Sequence, residues 1–345
     1  MQYKGVYKNN PYYEIKGVGL YLGSKCNQNC LYCRDKELRK HYETTKKSLV
    51  NTLRFLDTLD GLNQITLVGG EPFMYTKFFP DIYSFADKKD LRIMFITNSL
   101  GLQNDTIWNQ YIKDNSNVYI QISYDGHDNS RGYNIFSDQK IIDRCRTLLS
   151  QNRFSICSVI TKNSWNVLNI YNDILTILGD TGFNWMISPL LETNNCKELN
   201  KETPIESYLL SLYEFLKLYP KLELPKQTLL KYIKSMNYHI NKKEFFIETD
   251  GSILRSCFDF TRIGNWKTDN LTDIYNKSNY LSLNNRSDKC TDCIVNELCI
   301  KRPEFYSPIS CTMRIGLENI VFKIMRDANC SNLEEFERHL LYGCK

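Results

Sequence analysis

A strand-like stretch followed by a helix-like stretch recurs about six times over roughly 175 residues, and no other feature limits the fold of this chain so strongly. The strands read Gly17–Leu22, Ile65–Val68, Arg92–Thr97, Val118–Ser123, Phe154–Ile160 and Phe183–Ile187. Between them, apolar residues return at helical spacing, as in Leu49, Leu53, Leu56 and Leu59, with Thr44 and Thr45 as candidate caps. Asp105 can cap a short helix through Trp108 and Tyr111. Ile141, Ile142, Cys145, Leu148 and Leu149 share one helix face, and Val167 to Leu178 is helical. Connections of this kind are right-handed and produce a parallel sheet, whose chemistry sits at the C-terminal ends of its strands. Four polar segments follow strand ends: the loop 26–33, Gly69-Gly70-Glu71-Pro72, Asn98 and Asp125-Gly126. Topology therefore predicts that they share one rim.

The loop after the first strand is Cys26-Asn27-Gln28-Asn29-Cys30-Leu31-Tyr32-Cys33. Its three thiols can face one point and hold three corners of a cubane iron–sulfur cluster. One iron is then left for a non-protein ligand, whereas an electron-transfer cluster usually takes four cysteines. Zinc is the alternative, but it too wants a fourth ligand, and the next histidine is His41. The chain has 13 cysteines, an odd number poorly suited to a closed disulfide framework. Seven of them lie in the last 89 residues. No apolar h-region opens the sequence and no stretch nears the length of a membrane span. A cytoplasmic, metal-binding protein is the expectation. The net charge of +5 comes with no basic run of five or more, so neither nucleic acid nor membrane is expected as a partner.

The 193–243 stretch is more polar and reads as helices leading to a second domain, with Leu209, Leu212, Phe215 and Leu216 on one face. Phe245 to Leu254 then reads as a hairpin with Asp250-Gly251 at its turn. Short elements among cysteines follow, the pattern of a small region held together by metal. The organisation expected is an extension over 1–16, an α/β partial barrel over 17–190, a helical bridge over 191–244 and a cluster-binding domain over 245–345.

These residues resemble the radical S-adenosylmethionine enzymes of the peptide- and protein-modifying branch that carries a SPASM domain. The resemblance rests on Cys26, Cys30 and Cys33 with Tyr32 between them, on Gly69-Gly70-Glu71-Pro72 after the second strand, and on Ser123-Tyr124-Asp125-Gly126 with Arg131 beyond. In the tail it rests on Asp250-Gly251, Cys257, Gly264-Asn265-Trp266, Cys290, Cys293, Cys299 and Cys311. It implies a partial (βα)6 barrel with a small C-terminal iron–sulfur domain. It also implies a [4Fe–4S] cluster at Cys26, Cys30 and Cys33 that binds S-adenosylmethionine and yields a 5′-deoxyadenosyl radical. Glu71 would accept from the cofactor's ammonium, and Gly69-Gly70 would allow close backbone approach. Tyr32 would lie against the adenine, and Asn98, Ser123 and Asp125 could meet the ribose or carboxylate, or serve as turn and cap residues.

The tail departs from the full pattern. Pro303 stands where one cysteine is expected, and another is missing ahead of Gly251, where only His239 is found. One auxiliary [4Fe–4S] cluster at Cys290, Cys293, Cys299 and Cys311 is therefore expected, with a zinc site of the same four thiols as the alternative. Cys330 and Cys344 fit no part of the pattern. Cys257 is left without its usual partners, either a buried thiol or a hydrogen-atom donor to a substrate radical, as an epimerase needs. Asp259 sits one residue from the place where relatives carry an acidic base. Cys145 and Cys157 are expected in the core and His127 in a surface loop.

The function implied is hydrogen abstraction from a peptide residue, giving a crosslinked, epimerised or oxidised product in the maturation of a ribosomally made peptide. The partners implied are that peptide and an electron donor such as flavodoxin or ferredoxin. With about 16 residues before the first strand, too few for a leader-binding domain, leader recognition is direct, absent, or made by a separate leader-binding protein. The alternatives are the same chemistry on a small molecule or folded protein, and a non-catalytic metal-binding adaptor.

Overall fold

The computed structural model describes residues 15–33, 43–127, 129–179, 183–189, 204–218, 244–254, 262–270 and 272–274, and single positions between 316 and 329. In chain order the elements are β1 (Gly17–Tyr21), α1 (Lys46–Asp57), β2 (Gln64–Val68), α2 (Phe79–Lys89), β3 (Arg92–Thr97), α3 (Asp105–Ile107) and β4 (Val118–Ser123). They continue with α4 (Gln139–Ser150), β5 (Phe154–Ile160), α5 (Val167–Leu178), β6 (Asn184–Pro189), α6 (Ile205–Leu218), β7 (Glu244–Ile247), β8 (Ser252–Leu254) and β9 (Arg262–Asn265). Two compact units contain them, and the chain passes from the first to the second between Asn27 and Gln28 and again between Ile122 and Ser123.

In the first unit β1 pairs in parallel with β2, β2 with β3 and β3 with β4. Parallel strands covered by helices are apolar, and Val18, Leu20, Ile65, Leu67, Ile93 and Phe95 are all buried. Thr45 caps α1: its hydroxyl accepts from Ser48 N–H while the Ser48 hydroxyl accepts from Thr45 N–H. The helix buries Leu49, Leu53 and Leu56. α2 ends where Asp90 takes a left-handed φ of 53°. Phe73 stacks on Phe95 at 4.9 Å, and Phe79 meets Phe95 edge-on at 5.4 Å. The short helix after β3 differs from expectation. Its cap is Asn104, which accepts from Thr106 and Ile107 N–H, and α3 runs on as a π-turn over Trp108–Ile112.

On the other edge β1 pairs in parallel with β7, placing Phe246 opposite Gly19. A Cβ on Gly19 would come within 2.1 Å of the Phe246 ring. β7 turns back through Asp250-Gly251 into β8, with Gly251 at φ 93°, and β9 adds to β8. The boundary expected at residue 245 thus lies inside a strand that hydrogen-bonds to β1. Local periodicity cannot reveal this, because a strand pattern does not name its partner.

In the second unit β5 and β6 pair in parallel. α5 is capped by Asn166 and stopped by Gly179. The expected bridge is seen only over α6, which packs on α5: Val167 N–H donates to Ser211 Oγ at 2.9 Å, and Phe215 meets Tyr171 edge-on at 4.8 Å. Cys145 is fully buried on α4, as expected. Cys157, expected in the core, is partly exposed, because it alternates on the β5 face opposite buried Ile156 and Ser158. His127 is exposed. No described helix is long and apolar enough to cross a membrane.

Candidate functional site

The first unit carries the start of the cysteine loop. Past β1, Leu22 N–H donates to Val68 O, and the glycine pair after β2 then lies directly on residues 23–25. Gly70 N–H donates to Gly23 O at 2.8 Å, and Glu71 N–H donates to Lys25 O at 2.7 Å. A Cβ at Gly70 would sit 2.1 Å from Lys25 O, and one at Gly69, whose φ is 139°, would sit 2.5 Å from Gly23 O. The close approach that these glycines permit is to the segment leading into Cys26, and it accounts for both of them without a ligand.

Tyr75 completes the grip. Its fully buried hydroxyl accepts from Lys25 N–H at 2.7 Å and donates to Glu43 at 3.1 Å. Both backbone groups of the residue before Cys26 are thus tied to the segment 71–75. Nothing in the sequence marks Tyr75, because it lies outside any motif and its partner is 50 residues away.

Glu71 is buried. One carboxylate oxygen accepts from Phe73 N–H at 3.1 Å and Thr97 Oγ1 at 2.7 Å, and the other from Asn98 N–H at 2.8 Å. Burial raises its pKa from 4.5 to about 7, against the lowering effect of these three donors. Pro72 opens the turn that follows, where its missing N–H costs nothing. Asn98 Nδ2 donates to Asn27 Oδ1 at 2.7 Å and lies 3.7 Å from Cys26 Sγ. Next to it, Ser99 is fully buried at φ 73°, and its hydroxyl has no hydrogen-bond partner among the described residues.

The second unit carries the rest of the loop. Leu31 N–H donates to Ser130 O at 2.9 Å and Cys33 N–H to Cys30 O at 3.1 Å. The Tyr32 hydroxyl donates to the Asp125 carboxylate. Asp125, fully buried, also accepts from Val159 N–H at 2.7 Å and faces Arg131. The Arg131 guanidinium lies over the Tyr32 ring, 5.3 Å from its centre. Burial raises the Tyr32 hydroxyl well above its usual range. Burial also raises the Cys30 thiol, and the Arg131 charge works the other way by favouring the thiolate. Under Leu31, Ser130, Thr161 and Ser164 form a buried row of hydroxyls at 3.2 and 2.8 Å.

Of the residues expected at the rim, Cys26, Asn98, Glu71 and the glycine pair come together in the first unit. Tyr32, Asp125, Cys30 and Cys33 belong to the second. Ser123 ends β4 partly exposed. Among the described residues no three His, Cys, Asp or Glu side chains are gathered closely enough to hold a metal ion. The fit to an iron–sulfur cluster therefore rests on donor chemistry: three thiols within eight residues, one of them facing a buried guanidinium. Cys257, Asp259, Cys290, Cys293, Cys299 and Cys311 lie outside the described residues, as do Cys330, Cys344 and His239.

Residues 20–181 match the Radical SAM superfamily, and residues 239–294 match SPASM, an iron–sulfur cluster-binding domain. Among curated proteins none matches the chain in sequence. Among solved structures, native anSMEcpe with bound AdoMet and Cp18Cys peptide matches with a TM-score of 0.67 at 17% identity, over 90% of this chain and 98% of that one. Streptococcus suis SuiB bound to precursor peptide SuiA matches with a TM-score of 0.61 at 14% identity, over 86% and 76%. At these identities the likeness is one of fold.

Proposed function

The chain is a radical SAM superfamily enzyme with a SPASM iron–sulfur region, and from that premise we propose that it removes a hydrogen atom from a residue of a peptide. The product is a crosslinked, epimerised or oxidised peptide. The observation that carries this reading is the extent of the likeness: 90% of this chain against 98% of a chain solved with AdoMet and a peptide together. A fold shared over this much of both chains supports a substrate of the same class.

In this proposal Cys26, Cys30 and Cys33 would hold a [4Fe–4S] cluster to which S-adenosylmethionine would bind. When bound, that pair supplies one-electron cleavage of the sulfonium and hydrogen-atom abstraction. The chain's own residues place the ligands. Gly70, Glu71 and Tyr75 fix the backbone ahead of Cys26, while Ser130 and Asp125 fix Leu31 and Tyr32. Cys290, Cys293, Cys299 and Cys311 hold one auxiliary cluster. Cys257 and Asp259 are the groups proposed to return hydrogen or move a proton.

Anaerobic reconstitution tests the reading. Iron and sulfide in cluster proportion are expected, with 5′-deoxyadenosine released faster in the presence of a small peptide encoded beside the gene, and a mass change in that peptide. Release that ignores every peptide moves the substrate to a small molecule or folded protein. Zinc in place of iron, with no cleavage, leaves the adaptor.

A further inference from the structure

We propose that Asn98 raises the reduction potential of the cluster by donating a hydrogen bond to the Cys26 sulfur. The inference rests on the reading that Cys26 ligates that cluster. The geometry is held from three sides. Asn98 N–H donates to Glu71, anchoring the residue at the end of β3. Leu100 N–H donates to Asn98 Oδ1 at 3.0 Å, which identifies the oxygen of the amide and leaves Nδ2 facing the cysteine loop. The two Nδ2 protons are then directed at Asn27 Oδ1, 2.7 Å away, and Cys26 Sγ, 3.7 Å away. An amide engaged in this way on both donors, and only 8% exposed, has no free donor left for a ribose.

A hydrogen bond to a ligating thiolate stabilises the form of the cluster with more negative charge on sulfur, which is the reduced form. Asn98 therefore raises the potential and makes the cluster easier to reduce. Asn27 acts behind it as a positioning residue, holding the amide so that its second proton meets the sulfur.

The test is a potentiometric titration of the reconstituted full chain, followed by electron paramagnetic resonance without S-adenosylmethionine. The relevant cluster is the one whose signal changes when S-adenosylmethionine is then added. Asn98→Ala is expected to move its midpoint to more negative potential and to leave an auxiliary cluster's midpoint where it was. Asn27→Ala, which keeps the donor but frees it to turn, is expected to move it less, in the same direction. A midpoint that is unchanged or more positive in a loaded Asn98→Ala protein overturns the proposal. Should that variant not take up iron, Asn27→Ala decides alone, and an unshifted midpoint overturns it. A wild-type protein with no S-adenosylmethionine-responsive cluster signal refutes the reading beneath the proposal, which is a different outcome from a signal that Asn98 does not move.

Discussion

Arg131 Nη2 donates to Asp125 Oδ1 at 3.1 Å, and Arg131 Nε lies 2.7 Å from Asp125 Oδ2. The first contact is an aimed hydrogen bond. The second is a charge contact, since the Nε proton does not point at the oxygen. Both side chains are nearly out of solvent, at 11% and 0% exposure. Burial, the largest influence, opposes the Arg131 charge, yet Asp125, Tyr32 and Cys30 around it together outweigh that and raise the guanidinium's pKa. The pair also carries Tyr32, so it sets the shape of the loop between Cys30 and Cys33.

Removing one member of a buried pair strands the other. Arg131→Ala should therefore destabilise the protein by about 3–5 kcal/mol, read by chemical denaturation of the iron-free chain. Arg131→Lys should recover only part of this, because an ammonium cannot span both oxygens. A loss under about 1 kcal/mol for Arg131→Ala would mean that Asp125 is held by Tyr32 and Val159 alone.

Glu71 makes stability depend on pH in a defined direction. Its folded pKa of about 7 lies above its ordinary 4.5, so the folded chain keeps a proton that the unfolded chain releases. The favourable contribution is complete below about pH 4.5 and is lost as pH rises to about 7, a change of about 3 kcal/mol. Glu71→Gln cannot titrate, so the difference between wild type and variant should fall with pH across that window. The variant also sets an amide against Asn98 N–H, at a constant cost of about 1–3 kcal/mol. Parallel pH profiles for the two proteins would show that Glu71 does not titrate there.

Gly70→Ala should break the grip on the cysteine loop. Its Cβ would sit 2.1 Å from the backbone oxygen of Lys25, which cannot swing aside as a side chain can. A loss of about 2–4 kcal/mol is expected, together with fewer iron atoms retained per chain. Iron retention equal to wild type would show that the loop tolerates displacement there.

Ser99→Gly should stabilise. Ser99 holds φ 73° and buries a hydroxyl that has no partner among the described residues. Relief of the strain and of the unsatisfied hydroxyl outweighs the extra freedom of the unfolded chain, leaving a net gain of about 1 kcal/mol. A lower midpoint of thermal unfolding would show that the lost packing of the side chain matters more.

Tyr75→Phe removes the acceptor for Lys25 N–H and the donor to Glu43 while keeping the ring. The expected cost is about 1–3 kcal/mol, and hydrogen exchange at the Lys25 amide should accelerate. Unchanged exchange at that amide would rule out the clamp.

The linear order of residues is enough to mark β1 to β8, but not β9, together with the helix faces of α1 and α4, the helix α5, the three cysteines and the hairpin turn at Asp250-Gly251. Each is written in neighbours within a few positions: alternation, a 3.6-residue period, a ligand spacing, a turn dipeptide. Even the cap of α3 lies within one residue of the expected Asp105, at Asn104. What tertiary structure alone decided are the contacts between distant positions. Gly69 and Gly70 are glycines because the backbone of residues 23–25 lies where their Cβ atoms would be. Tyr75 reaches Lys25 across 50 residues, and Asn98 reaches Cys26 across 72. β7 pairs with β1 although more than 200 residues separate them in the chain. A residue's partner is set by how strands align and what burial leaves unpaired, and neither is written in the residues next to it.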